Sequence, residues 1–355
     1  MARRTIYWHI GPDDLGTAFV GDALDAHREQ LAAAGVLVAG TPHAWELATA
    51  ELRRSHQQLG YDLPEVEGQN ATLVRRLWKH KGTTVLSTPG LASATRDQVL
   101  LALDGIRGAE IHLVLVVRDL TSQVNAACQA ALEQGATSRP DKYAARVLDP
   151  ESTHEQAAAF RAGHDLPDVL RRWTRTVLPE HVHIIGATDP AEIWTTFLRL
   201  LGAPDLALPE GIATGQLGPA QLTVLRDVAL ALDEQLDTRA RRTALRDWLS
   251  RGLLPHGTGG PAVDSGDLLR TWTDLITTKG FDMHGTLRDQ SGDTNTTGPS
   301  SEESATAALA EALVELGRLQ QENAALVEEN VRLDRKRRKH KRRAQELEKQ
   351  QQGAA

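Results

Sequence analysis

The chain has 355 residues, 41% of them hydrophobic, and a formal net charge of −7. This is enough chain for one large domain or two ordinary ones, and the acidic balance excludes a surface that binds nucleic acid over its whole extent. A lone cysteine, Cys128, excludes an intrachain disulfide. The apolar run in "MARRTIYWHIGPDD" is too short for a signal peptide and no segment reaches a membrane span, so a soluble, cytoplasmic protein is expected.

The first element is "TIYWHIG", Thr5 to Gly11, a β-branched run that reads as a buried strand. A glycine turn follows, and then Leu15, Phe19, Ala23, His27, Leu31 and Ala34 fall at helical spacing. A strand, a turn and a helix place backbone N–H groups and a helix dipole where an anion can sit. Within the turn, Gly11, Gly16 and Thr17 could offer backbone and hydroxyl contacts. A P-loop adds a lysine to balance phosphate charge. Here the loop holds Asp13 and Asp14 and no Lys or Arg, so an ATP or GTP site is not expected.

Three more strands are predicted: "TTVLST" at Thr83–Thr88, "EIHLVLVVRD" at Glu110–Asp119, and "HVHIIGA" at His181–Ala187. Amphipathic helical patterns occupy Thr95–Ile106 and Leu120–Leu132, and the chain from Pro219 to Thr278 reads as helical throughout. The alternation predicts an α/β fold, a P-loop-like doubly wound parallel sheet with a helical C-terminal elaboration, over residues 1–289. Thirteen histidines invite a metal reading, but none of them shows metal-ligand spacing along the chain; His9, His181 and His183 read as core or surface residues. "GTGG" at Gly257–Gly260 has no strand before it and reads as a loop, and no serine sits in a nucleophile elbow. Cys128, on an amphipathic helix, reads as a small packing residue.

Residues 290–304, "QSGDTNTTGPSSEES", are nearly free of apolar side chains and read as a flexible linker. Residues 305–350 carry a seven-residue repeat. Leu309, Leu316, Asn323 and Asn330 share one seam position; Ala312, Leu319, Leu326 and Leu333 share the position three residues on. That a/d pattern predicts a coiled coil, and asparagine at a favours a parallel dimer. The run "RKRRKHKRR", Arg335 to Arg343, follows at once. From Glu302 onward eleven Lys/Arg face ten Asp/Glu, so the run is a local cationic patch that could hold an anionic partner.

Several stretches together resemble bacterial sulfotransferase-like proteins. "YWHIGPDDLGTAFVGDALDAHREQLAAAGVLVAG" is similar to their opening strand, loop and helix. "VLSTPGLASATRDQVLLAL", "AEIHLVLVVRDLTSQVNAACQAALEQG", "LGPAQLTVLRDVALAL" and "KGFDMHGTLRD" are similar to later segments in the same order. The resemblance spans Ile6 to Asp289 and implies a loop that holds the 5′-phosphosulfate of PAPS (3′-phosphoadenosine 5′-phosphosulfate). It also implies that Arg118 grips the nucleotide 3′-phosphate, with Ser122 as its nearest serine partner. Where the family has its loop lysine this chain has Asp14, and where relatives carry a Ser-Ser-Glu carboxylate it reads Ser87-Thr88-Pro89.

Exchanging Lys for Asp changes the local charge by two units. At roughly 4 Å and an effective dielectric near 20, each unit is worth about 4 kcal/mol. A helix terminus returns only about 0.3–2 kcal/mol. The expectation is therefore a sulfotransferase-like protein without sulfuryl transfer, a pseudoenzyme acting as a dimeric binding or scaffolding module. Two other readings fit the sequence: an active PAPS-dependent sulfotransferase with a rearranged site, and a coiled-coil protein that recruits a polyanion or partner.

Overall fold

The computed structural model describes residues 4–12, 15–210, 212, 217–233, 236–250, 260 and 265–287, together with 318, 319, 322, 326, 329, 332, 333, 335 and 336 of the tail. The chain divides into two compact units, Met1–Ala305 and Thr306–Ala355. The first begins with β1 (Thr5–Gly11), α1 (Leu15–Ala26), α2 (Arg28–Ala33), β2 (Val36–Val38), α3 (Pro42–Arg53), α4 (Leu63–Val66) and α5 (Gln69–Lys79). It continues with β3 (Thr83–Ser87), α6 (Arg96–Asp104), β4 (Glu110–Val117), α7 (Leu120–Glu133), α8 (Pro140–Leu148), α9 (Glu155–His164) and α10 (Leu166–Trp173). It closes with β5 (Val182–Gly186), α11 (Pro190–Leu200), α12 (Pro219–Asp233), α13 (Thr238–Ser250), α14 (Gly266–Lys279) and β6 (Asp282–Gly285).

The six strands form one open sheet in the order β2-β3-β1-β4-β5-β6, parallel throughout. Parallel strands need crossover helices, and those helices bury both faces. β1 shows this directly, because successive side chains of a strand point to opposite faces. Trp8 meets Trp173 of α10 edge-on at 5.4 Å, while His9 meets Phe197 of α11 at 6.0 Å. The core is continuous across the sheet, with Ile10, Leu86, Leu113, Trp173, Ile184 and Phe197 all essentially inaccessible to solvent.

Local chemistry sets the helix starts. At α6, Thr95 accepts from the Gln98 N–H and the Gln98 side chain accepts from the Thr95 N–H, a capping box. At α11, Asp189 accepts from the Glu192 N–H ahead of Pro190 at the first helical position. α14 stops at Gly280, whose φ of +71° is the left-handed conformation of a helix C-terminus; the chain then turns into β6.

The four predicted strands are present, and the Leu15–Ala34 pattern is divided between α1 and α2. Two strands were not predicted. β2 is three residues long and directly follows a helical pattern, and "DMHG" of β6 lacks the apolar run that marks a buried strand. No helix of the described residues is long and apolar enough to cross a membrane.

In the second unit, Leu319, Leu326 and Leu333 are helical, and Leu326 and Leu333 are exposed. Leu309, Leu316, Asn323 and Asn330 of the predicted seam lie outside the described residues, as do the linker 290–304 and residues 337–343 of the basic run.

Candidate functional site

The strand order reverses at β1. The crossover to β2 leads toward one edge, and the later crossover from β3 passes over β1 to β4 on the other side. Open α/β sheets bind ligands in the crevice beyond the carboxyl ends of strands at such a point. The candidate site is therefore built from the ends of β1, β3, β4 and β5.

Gly11 ends β1 at a φ of +148° and is buried. A Cβ there would lie 2.4 Å from the Ala92 Cβ and 2.8 Å from the Pro89 carbonyl oxygen. The absence of a side chain is thus demanded by the 3-10 turn Pro89–Ser93, which passes against the strand end. Thr17 is fully buried in α1, and its hydroxyl donates to the Pro12 carbonyl at 2.8 Å, closing the turn from within. Gly16 lies in the first turn of α1; Asp13 and Asp14 lie outside the described residues. At the end of β3, the Ser87 hydroxyl pairs with His9 Nδ1 at 2.8 Å, and Trp8 donates to the Thr88 hydroxyl at 2.6 Å.

Beyond β4, Arg118 and Asp119 are each only 4% exposed. The Arg118 guanidinium donates to the Ser122 carbonyl at 3.3 Å, and its own carbonyl accepts from the Gln123 side chain at 2.6 Å. Asp119 caps α7. It accepts from the Ser122 N–H at 2.8 Å, from the Ser122 hydroxyl, and from the Thr188 hydroxyl at 3.3 Å. The structure thus brings Arg118 and Ser122 together, with a buried carboxylate between Ser122 and the β5–α11 turn.

Two further constellations join residues far apart in the chain. The first is ionic. Glu46 of α3 receives Arg242 at 3.0 Å and Arg246 at 2.8 Å from α13, and the Tyr61 hydroxyl donates to it at 3.0 Å. Arg246 also lies 3.6 Å from Glu133 of α7. Burial alone would raise the Glu46 pKa, but Arg246 and Arg242 outweigh it and hold the carboxyl down at about 2. Glu133 goes the other way, because burial pushes it up more than Arg246 draws it down.

The second is a row of histidines near the amino ends of three neighbouring strands. β4 opens with "EIH" and β6 with "DMH", so the two-residue period puts both titratable side chains of each on one face, and "HVH" carries His181 at the end of the 3-10 turn Pro179–His181 and His183 in β5. Register then aligns Tyr7 with His112, Val114 with His183, and His183 with Asp282. His112 Nε2 lies 2.9 Å from Glu110 Oε1, and His112 Nδ1 lies 2.8 Å from His183 Nε2. His183 Nδ1 and His284 Nε2 each lie 2.9 Å from Asp282 Oδ2. His181 stacks on His112 at 4.2 Å between ring centres, and Tyr7 stacks on His112 at 4.6 Å. The separate "EIH", "HVH" and "DMH" patterns are visible in the chain; their adjacency is not.

Fold and site define an open, all-parallel α/β protein whose β1 switch point carries buried, mutually hydrogen-bonded polar side chains. Neither a family model, nor a curated protein, nor a solved structure matches the chain.

Proposed function

We propose that the chain is a sulfotransferase-like protein without sulfuryl transfer, acting as a binding or scaffolding module that dimerises through its tail. The carrying observation is the state of the groups that would receive the nucleotide. Ser122 gives both its N–H and its hydroxyl to Asp119, and Arg118 donates to the Ser122 carbonyl. A phosphate arriving at Ser122 would have to displace its two bonds to Asp119 and sit beside that buried carboxylate. Thr17, the hydroxyl of the first turn, is likewise bonded to Pro12. The strand order with helices on both faces supports a doubly wound, P-loop-like reading, and the charges at Asp13 and Asp14 support loss of the cradle's affinity.

Calorimetric titration at low salt with PAPS, or with its product PAP (3′-phosphoadenosine 5′-phosphate), tests this. No saturable binding is expected. A micromolar dissociation constant, about −8 kcal/mol, would overturn the pseudoenzyme reading. Asp14→Lys should bring binding into range if the backbone of the turn is intact, with a gain of at least tenfold, about 1.4 kcal/mol.

The module reading also makes the tail the means of assembly, with the basic run 335–343 offered to an anionic partner. Exposed Leu326 and Leu333 are the apolar positions such a seam would cover. Light scattering should find a dimer for the whole chain and a folded monomer once everything after Gln290 is removed. A dimer that survives truncation would move the interface to the first unit.

A further inference from the structure

We infer that the histidine row at the amino end of the sheet is a site for one divalent first-row transition ion of the zinc class, held by Glu110, His112 and His181. This stands apart from the sulfotransferase-like reading, since the site opens at the strand ends opposite Arg118. The chemistry of the donors comes first. Two imidazoles and one carboxylate form a ligand set that zinc, cobalt or iron accepts while keeping an open position.

Geometry agrees with the donors. The ligand atoms of Glu110, His112 and His181 all lie within 4.8 Å of one another. Two of the separations are 2.9 Å, His112 Nε2 to Glu110 Oε1, and 4.0 Å, His181 Nε2 to Glu110 Oε1. Bonds of about 2.0–2.1 Å to a tetrahedral ion set ligand atoms roughly 3.4 Å apart. These two separations bracket that value.

A second triad, His183, Asp282 and His284, has the same composition and similarly close ligand atoms. The bond between the two triads decides how many ions load. His112 Nδ1 and His183 Nε2 lie 2.8 Å apart, so one must donate and the other accept. A neutral histidine that ligates through one nitrogen carries its proton on the other. An ion on His112 Nε2 leaves Nδ1–H to donate to His183 Nε2. His183 then holds its proton on Nδ1 and donates it to Asp282, an unbroken outer shell. An ion on His183 Nδ1 reverses the chain and ends it on Glu110. Ions on both would point two N–H groups at each other. The pair therefore admits one ion per chain.

Enclosure selects the end. The Glu110, His112 and His181 side chains are 17%, 11% and 18% exposed, whereas Asp282 of the other triad is 45% exposed. A carboxylate already withdrawn from water has less hydration to lose to the ion and is attracted to it through a lower dielectric. Asp282, left outside, orients the His183 ring by accepting from its Nδ1. The turn Pro179–His181, just before β5, places the third ligand.

The test uses the untagged full-length chain, stripped with a chelator and titrated with Co²⁺ and then Zn²⁺. One cobalt per chain should bind, with a visible d–d band, and zinc should displace it. His181→Ala should weaken cobalt at least tenfold, while His284→Ala should change affinity less than threefold. Circular dichroism checks that both variants fold. Should His181→Ala not fold, the wild-type stoichiometry and band remain decisive. No cobalt band, two ions per chain, or affinity indifferent to His181→Ala overturns the assignment.

Discussion

Glu46→Gln should cost about 3 kcal/mol of stability at pH 7, and the loss should fade as the solution is acidified. The size follows from what is left behind. The Arg242 side chain is 6% exposed and is held by Glu46 and by the Leu59 carbonyl at 2.7 Å. Removing one partner of a buried pair strands the other, at about 3–5 kcal/mol. Arg246 also holds the Glu46 carboxyl down, but its side chain is 48% exposed, so water solvates it when Glu46 is removed and the stranding cost falls mainly on Arg242.

The pH dependence has a fixed sign. The Glu46 carboxyl stands at about 2 in the folded protein against an ordinary 4.5. Its contribution is present above the unfolded value and is lost as pH falls from there toward the folded value, about 3 kcal/mol in all. The charged groups facing it are Arg242 and Arg246 on α13, with Tyr61 as a neutral donor; Glu133 of α7 and Asp22 of α1 face Arg246 in turn. Glu133, raised by burial, works in the opposite sense, since its protonation on acidification relieves a buried charge. Wild type therefore loses less on acidification than Glu46 alone would dictate. Denaturant melts of both proteins from pH 7 downward read the difference directly. Equal stabilities at pH 7, or a gap that persists near pH 2, would sink the argument.

What the sequence disclosed follows the physics of each element. β1, β3, β4 and β5 are continuous apolar runs because both faces of a parallel sheet are covered, and they were visible for that reason. β2 has three residues and β6 has an apolar side chain only at Met283, so the same criterion passed them over. Arg118 was legible as a strand-end residue, since "LVLVVRD" marks where apolar character stops. The role of Asp119 was not, because capping depends on where the helix begins. The long-range sites were beyond reach. His112 and His183 are 71 residues apart, and Glu46 and Arg246 are 200 apart. Only the strand order and the docking of α13 join them, and neither is written in local periodicity.

Gly11→Ala should lower stability by about 3 kcal/mol or more, in protein that has met no ligand. Two effects add. A φ of +148° is strained for any residue with a side chain, at about 1–3 kcal/mol. Overpacking contributes another roughly 1–3 kcal/mol, because the new methyl meets the Ala92 Cβ and a backbone oxygen, that of Pro89. The turn carrying those atoms has nowhere to retreat. Trp173 donates to the Leu91 carbonyl at 3.2 Å, and Arg172 donates to the Ala92 carbonyl at 2.9 Å and to the Ala94 carbonyl, so α10 clamps it from behind. A double-mutant cycle separates packing from a ligand role for this glycine. Ala92→Gly removes the nearest atom, so Gly11→Ala in that background should cost at least about 1 kcal/mol less than in wild type. The strain from φ and the contact with Pro89 should remain. Strict additivity would mean that the first turn keeps its glycine for a reason other than the wall formed by Pro89–Ser93, and close backbone approach to an anion would again be the leading explanation.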